Sequence, residues 1–481
     1  MLRQPKGGIP DDDVNAEDYL LALVPIYGTK DAGRSFWKRM RSVMLESGMV
    51  ENFVFKACYS YAVDGVIQII MATHVDDIVW ACLPGAEPSV KKLKSILTFG
   101  AEDEGAFRYC GKEIFQDPNT FTVKITCTAT TMKMKEIDID PERLKNLALE
   151  ANKDEKEAMT TQVGILAWIA RSCRPSIAYR VSALQGRNKK AVVGDLRTCN
   201  QVIKYTLETK DEGLWYHHGL DWSNLVIGYV GDASFSEEKQ YNEFTGAYEP
   251  FRSQGGRILI LANKVLIEGT DIFFHVIGFT STILRRVCRS TMQAETYNTQ
   301  YAVESGDIVR AGIADLHGLL DHKQWEASAA AFIHAVWFTD CKSSHDALVA
   351  PVQGKSQDKR LGIEIASLRQ SIWRKPGEIV GLPHLEEKKP ADTTDSIRWI
   401  DTDIMLADPL TKTMSASKLE EALRTNRWDL MQPIESLQKK RIKQKQRSAA
   451  KTGAKEKLAA DNPPRDGDEA DDESEAADSL G

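Results

Sequence analysis

The sequence predicts a multidomain chain of the mixed α+β and α/β classes that ends in a disordered tail. Three observations carry this expectation. A length of 481 residues, set against a usual domain of about 150, leaves room for roughly three domains. The hydrophobic fraction of 42% is enough to fill their cores. Apolar residues recur with period two in some stretches and period 3.6 in others, so both strands and helices are expected. Composition then changes sharply: nine Lys/Arg fall between positions 439 and 457, and nine Asp/Glu between 461 and 478. Blocks of like charge with few apolar residues cannot bury enough surface to fold.

The first 18 residues, rich in Gly, Pro and Asp, read as a loop. Phe36, Met40, Val43 and Met44 repeat at helical spacing within 31–48, and Gly48 is a stop signal. Two β-prone runs, 58–63 and 65–73, flank Asp64-Gly65, a hairpin-turn pair. A further strand at 78–82 places His74-Val75-Asp76-Asp77 at the apex of a strand–turn–strand unit. A short amphipathic helix is expected at 87–97, then paired strands at 107–115 and 120–127 around Asp117-Pro118-Asn119. Residues 141–222 read mostly as helix, with an apolar face at 163–170 and another helix at 195–208. From Leu225 the pattern turns to strands at 225–230, 245–248, 257–261 and 273–279. A long helix over 291–320 follows, then a strand at 335–339, a helix, a strand at 397–400 and a helix over 406–423. The segment 345–392 is longer than a link between two strands needs.

Several function classes are excluded at this level. A net charge of −7 argues against a uniformly basic nucleic-acid coat, although it leaves room for local basic surfaces. The eight cysteines include no CxxC pair, which disfavours zinc ribbons and thioredoxin-like motifs and fits free thiols in a reducing compartment. The N-terminus lacks the apolar core of a signal peptide, and no apolar stretch is long enough to cross a bilayer. The expectation is a soluble intracellular protein with no membrane partner, in cytoplasm or nucleus.

Four acids stand where acids are costly unless used. Asp232 ends the apolar run 227–231, and Asp340 ends the run 336–339. Glu295 lies in the first turns of the long helix, and Asp408 opens the final one. Any one of them alone is more often a turn or cap residue. As an ordered strand–helix–strand–helix series they can converge at one sheet edge. Converging carboxylates repel unless cations neutralise them, and hard oxygen ligands suit Mg²⁺. Two such ions about 3.5–4 Å apart would serve phosphodiester hydrolysis.

A family resemblance adds to this reading. The motifs Ile26-Tyr27-Gly28-Thr29-Lys30-Asp31-Ala32-Gly33-Arg34, His74-Val75-Asp76-Asp77 and Gly111-Lys112-Glu113-Ile114 occur in that order. After them come Gly164-Ile165-Leu166-Ala167-Trp168-Ile169-Ala170, Arg174-Pro175-Ser176-Ile177-Ala178-Tyr179 and Asp232-Ala233-Ser234-Phe235. Gln293-Ala294-Glu295-Thr296-Tyr297, Asp340-Cys341-Lys342-Ser343-Ser344 and Ala407-Asp408-Pro409-Leu410-Thr411-Lys412 complete the series. Over roughly residues 2–415 the chain resembles the C-terminal part of a copia-type retrotransposon polyprotein, a reverse transcriptase followed by ribonuclease H.

The resemblance implies a partial reverse-transcriptase palm at 1–127, a helical connection at 128–222, and a ribonuclease H-like domain at 223–425. The last would be a mixed five-stranded sheet with helices, one strand fewer than the six runs counted above. The disordered tail would occupy 432–481, its basic run a nucleic-acid-binding or nuclear-localisation element. Asp232, Glu295, Asp340 and Asp408 are then the catalytic and metal-binding acids, holding two Mg²⁺, or Mn²⁺, to cleave the RNA strand of an RNA–DNA hybrid.

Asp76 and Asp77 resemble the paired metal-binding catalytic aspartates of the palm, which works on an RNA template and a DNA primer. The family has Tyr where His74 stands. Its third catalytic aspartate would precede the Gln4-Pro5 segment, and Asp11, Asp12 and Asp13 are poor substitutes. The expectation is therefore a polymerase inactive by itself. Lys30, Arg34, Arg285, Arg286 and Arg289 are candidate phosphate contacts. Two alternatives stand beside the enzyme: a catalytically inactive nucleic-acid-binding remnant, and a subunit that completes a polymerase with a separate N-terminal half.

Overall fold

The computed structural model describes residues 30, 32–97, 100–242, 244–351, 354, 358–372 and 395–431. The first helix, α1 (Ala32–Glu46), buries Met40, Val43 and Met44 but leaves Phe36 exposed, and Gly48 follows it with φ +88°. Four antiparallel strands come next: β1 (Val50–Glu51), β2 (Cys58–Val63), β3 (Val66–His74) and β4 (Asp77–Cys82), hydrogen-bonded in that order. Asp64 and Gly65 both take positive φ between β2 and β3, the conformation a tight hairpin turn requires. Helix α2 (Glu87–Ile96) closes this layer, with Val90 and Leu93 packed beside Met44, Tyr59 and Met71.

The expected strand at 107–115 is instead a hairpin of β5 (Ala106–Tyr109) and β6 (Lys112–Gln116). Cys110 and Gly111, both at positive φ, turn the chain between them. Strand β7 (Val123–Thr126) pairs with β6, and after α3 (Thr128–Thr131) come three helices, α4 (Lys153–Cys173), α5 (Ala178–Arg187) and α6 (Val193–Glu208). Asn152 and Glu155 start α4 with a reciprocal capping box. One part of the expected helical stretch is extended: β8 (Leu214–Tyr216) pairs with β7 and completes a four-stranded sheet. Three residues are too few for a period to declare itself.

The principal sheet is mixed. Strands β9 (Leu225–Asn242), β10 (Ala247–Asn263) and, after α7 (Val265–Glu268), β11 (Asp271–Ile283) form an antiparallel meander. Then come α8 (Thr291–Leu316), α9 (Trp325–Phe332), β12 (His334–Thr339), α10 (Lys342–Val349), α11 (Lys359–Ile372) and β13 (Ser396–Trp399). β12 lies parallel to β9, and β13 parallel to β12. A 3-10 turn (Asp408–Leu410), α12 (Ser417–Thr425) and β14 (Arg427–Asp429) end the described chain, giving the order β13-β12-β9-β10-β11-β14.

The surplus strand is thus explained. The run 257–261 and the second half of the run 245–248 belong to the single strand β10, which carries Pro250 through two register shifts, between Glu249/Arg252 and between Arg252/Gln254, while Thr245 and Gly246 lie in the turn before it. The edge strand β14 is an addition to the expected set.

Alternation along the strands sends side chains to two layers. Val226, Val230, Ile258 and Ile260 face Leu166, Ile169 and Leu196 of α4 and α6. Ile227, Tyr229 and Leu259 face Val303 of α8 and Leu368 of α11. Helix α11 gives part of the long segment 345–392 a role, because it covers the second face; residues 373–394 lie outside the described set. The N-terminal layer is tied to α8 by the Asn52 amide, which donates to the Gly312 carbonyl at 2.8 Å. Among the described residues no helix is long and apolar enough to cross a membrane. The expected N-terminal loop, the motif residues 26–29 and the charged tail at 432–481 lie outside the described residues.

Candidate metal centre

Asp340 follows the last residue of β12, and Glu295 lies in the first two turns of α8, whose N-cap Ser290 accepts from the Gln293 N–H. Both positions are as the sequence suggests. The other two differ. Asp232 does not end its strand, since β9 runs on to Asn242, and it sits opposite Gly256 of β10. Asp408 opens the 3-10 turn, not a long helix, and α12 begins only at Ser417. Pro409 presets the turn.

The turn reaches Asp232 because Gly256 leaves space for it. A Cβ on Gly256 would lie 2.6 Å from Leu410 Cβ, 2.8 Å from Thr411 Cγ2 and 3.0 Å from the Ala407 carbonyl. With that space open, Thr411 Oγ1 donates to Asp232 Oδ2. Ser281 of β11 fastens the other side of the turn, donating to the Leu410 carbonyl at 2.6 Å.

Ligand oxygens of Asp232, Asp340 and Asp408 therefore lie within 4.8 Å of one another. Asp232 and Asp408 are each 4% exposed and Asp340 is half-buried. Glu295, 3% exposed, reaches the backbone next to Asp232. Its Oε1 accepts from the Ala233 N–H at 3.2 Å, and its Oε2 is buried without a hydrogen-bond partner.

The electrostatics follow from this crowding. Burial, and then the Asp408 charge, push the Asp232 carboxyl up to about 6. Burial raises Asp408 as well, against the pull of Lys412. Asp340 is raised by burial and by Asp232. Glu295 is driven well above the usual carboxylate range by burial, then by Asp232 and Asp340. Lys412 Nζ stands 2.9 Å from Asp408 Oδ1.

The donor set fits a hard divalent cation. It is all oxygen, it comes from three separated chain segments, and it repels itself in the cation's absence. Asp232, Asp340 and Asp408 could hold a metal ion; Glu295 is not in that group of three, and its link to it is the bond from the Ala233 N–H, next to Asp232.

Sequence reasoning misses Asn298. It lies one turn beyond Glu295 on α8, is fully buried, and donates to the carbonyls of Asp232 at 2.8 Å and Gly256 at 2.9 Å. An amide three residues from a candidate acid on one helix, with Gly255-Gly256 inside an apolar strand, is the available signal. Asn298→Ala should cost about 1–3 kcal/mol, because it strands two buried carbonyls. Urea denaturation measures this, and an unchanged midpoint would refute the docking role.

The other expected site residues lie apart from this arrangement. Asp76 and Asp77 are exposed on the β3–β4 turn, where Val75 takes φ +56°. Among the described residues they belong to no group of three metal-ligating side chains. Lys30 and Arg34 are exposed at the start of α1, and Arg285 is exposed before α8. Arg286 and Arg289 are exposed as well but carry partners: Arg286 pairs with Glu364 and lies over the Tyr297 ring, and Arg289 is 3.8 Å from Asp358. No protein-family model matches the sequence, and comparison with curated proteins finds no relative.

Proposed function

We propose that this chain is a divalent-cation-dependent nuclease of the ribonuclease H type that hydrolyses the RNA strand of RNA–DNA hybrids. One observation carries the reading: carboxylates from a central strand, a strand end and a distant 3-10 turn, two of them buried, come within 4.8 Å of one another, and the buried Glu295 of α8 accepts from the backbone next to Asp232. The mixed sheet supports it, since the family resemblance implies a mixed five-stranded sheet and β9 to β13 supply five such strands. The order of the four acids along the chain supports it too.

Asp232, Asp340 and Asp408 would hold Mg²⁺ or Mn²⁺. The bound cation supplies charge neutralisation at the phosphodiester and activation of water for hydrolysis. Thr411 fixes one oxygen of Asp232. Asn298 holds the two backbones that carry Asp232 and its partner Gly256, so the acids are placed before substrate arrives. Glu295 keeps one oxygen unengaged in a dry position, available to a ligand or to a proton. The hairpin bearing Asp76 and Asp77 enters no catalytic step in this reading.

The test is a hybrid with labelled RNA incubated with the full chain in Mg²⁺, Mn²⁺ or chelator. The wild type should cleave only with metal, and Asp232→Asn, Asp340→Asn and Asp408→Asn should each lose at least about 100-fold in rate. Cleavage that survives in chelator, or in Asp232→Asn, would remove the nuclease assignment. Tight binding of the hybrid with no cleavage in any metal would instead favour an inactive binding remnant.

A further inference from the structure

We propose that the Lys412 ammonium is the resting counter-ion of the acidic pocket and that a divalent cation displaces it on binding. The inference rests on the metal-site reading above and extends it to a residue for which neither the pocket's fold nor its acids account.

Three observations carry it. Lys412 Nζ lies 2.9 Å from Asp408 Oδ1, so a positive charge stands against one of the three clustered acids. Its field also reaches Asp232 and Asp340, making it a cation common to all three. Finally, the Lys412 side chain is 38% exposed where Asp408 is 6%, so the lysine reaches solvent while its partner carboxylate does not.

The chemistry decides which cation wins. Three clustered carboxylates and Glu295 beside them bear up to four negative charges, and one ammonium offsets one of them. An ammonium is a strongly hydrated point charge on a flexible stem, which regains rotamer freedom and hydration when it leaves. A divalent ion brings twice the charge to the same oxygens and is coordinated by several together. Lys412 therefore lowers the cost of folding the pocket empty, and it competes with metal for Asp408. Once released, it remains tethered four residues from Asp408, at the pocket's open side.

The experiment is Mn²⁺ binding to the full chain, followed by electron paramagnetic resonance and calorimetry, for wild type, Lys412→Met and Lys412→Arg. Lys412→Met keeps most of the stem and removes the competitor, so it should bind Mn²⁺ about ten-fold more tightly. Its metal-free melting temperature should fall, and its gain on adding Mn²⁺ should exceed the wild type's. Lys412→Arg keeps the charge and should stay close to wild type.

Equal or weaker binding by Lys412→Met overturns the proposal and leaves the metal site standing. Tighter binding by both variants also overturns it, because the effect would then not be one of charge. No Mn²⁺ binding by any variant fails the metal site itself, and the displacement with it. A measurement on the unaltered protein guards against a variant that does not fold. With lysine ¹³Cε labelling, one shifted resonance should move to the solvent-exposed position as Mg²⁺ saturates. A full set of lysine signals unmoved at saturation overturns the displacement.

Discussion

Gly256→Ala is expected to abolish metal-dependent cleavage while leaving most of the fold in place. The added methyl has nowhere to go. Its neighbours would be Leu410 Cβ at 2.6 Å, Thr411 Cγ2 at 2.8 Å and the Ala407 carbonyl at 3.0 Å. None of these is the loose end of a long side chain, so the whole turn must move off the sheet. That turn carries Asp408 and the hydroxyl that binds Asp232. Overpacking of this kind costs about 1–3 kcal/mol in stability. The larger effect falls on chemistry, where a misplacement of about 1 Å costs on the order of 100-fold in rate.

Gly278→Ala is the matched control. It lies in β11 of the same sheet, and its nearest neighbour would be Leu259 Cδ1 at an ordinary 3.6 Å. Hybrid cleavage, Mn²⁺ titration and melting temperature separate the two variants. If Gly256→Ala cleaves like Gly278→Ala, the turn does not depend on that close approach, and the account of how Asp408 reaches Asp232 is wrong.

This glycine also shows where the sequence is legible and where it is not. Asp340 and Glu295 can be placed because each is fixed by a local signal: an apolar run that stops, and a Ser-capped helix start. The Asp64-Gly65 turn is readable for the same reason. Asp232 reads as a strand end because the apolar run 227–231 stops at it. Its continuation is set by pairing with β10, and pairing is invisible in one strand's own composition. Pro250 likewise looks like a break between two strands, yet the register shifts around it absorb the missing N–H.

Asp408 reads as the start of a helix, where the chain forms a 3-10 turn followed by a gap, a difference tertiary contact decides. Thr411 stands in a motif of the resemblance without a role, because its contact is to Asp232, far away along the chain; Lys412 contacts Asp408 within the same motif, but the burial that gives this pair its meaning is set by tertiary packing. Helix α11 cannot be anticipated as a cover, since nothing local says which sheet face lacks one.

Metal-free protein is expected to be destabilised as pH rises through the range where Asp232 ionises, and Asp232→Asn is expected to remove that loss. An aspartate in the unfolded chain titrates near 3.9, whereas burial and Asp408 hold folded Asp232 up to about 6. The folded state thus keeps its proton where the unfolded state has lost it. The stabilisation is fully present below about pH 4 and disappears as pH passes about 6, leaving a difference on the order of 3 kcal/mol. Asp340, Asp408 and Glu295 are shifted the same way, so the slope has several contributors with Asp232 among them.

The asparagine side chain in that variant would keep the volume and an oxygen for the Thr411 hydroxyl while carrying no charge. In chelator at pH 8, Asp232→Asn should therefore melt above wild type, and the two should converge near pH 4. Excess Mg²⁺ should reverse the order, because a ligand that binds only the folded state stabilises it by mass action and the variant has lost part of the site. The crossing of the two curves is the diagnostic feature. A wild type that outlasts Asp232→Asn in chelator at pH 8 would mean that the buried acids do not repel one another. The pocket would then be held by something other than a cation, and both the metal centre and the nuclease built on it would lose their physical basis.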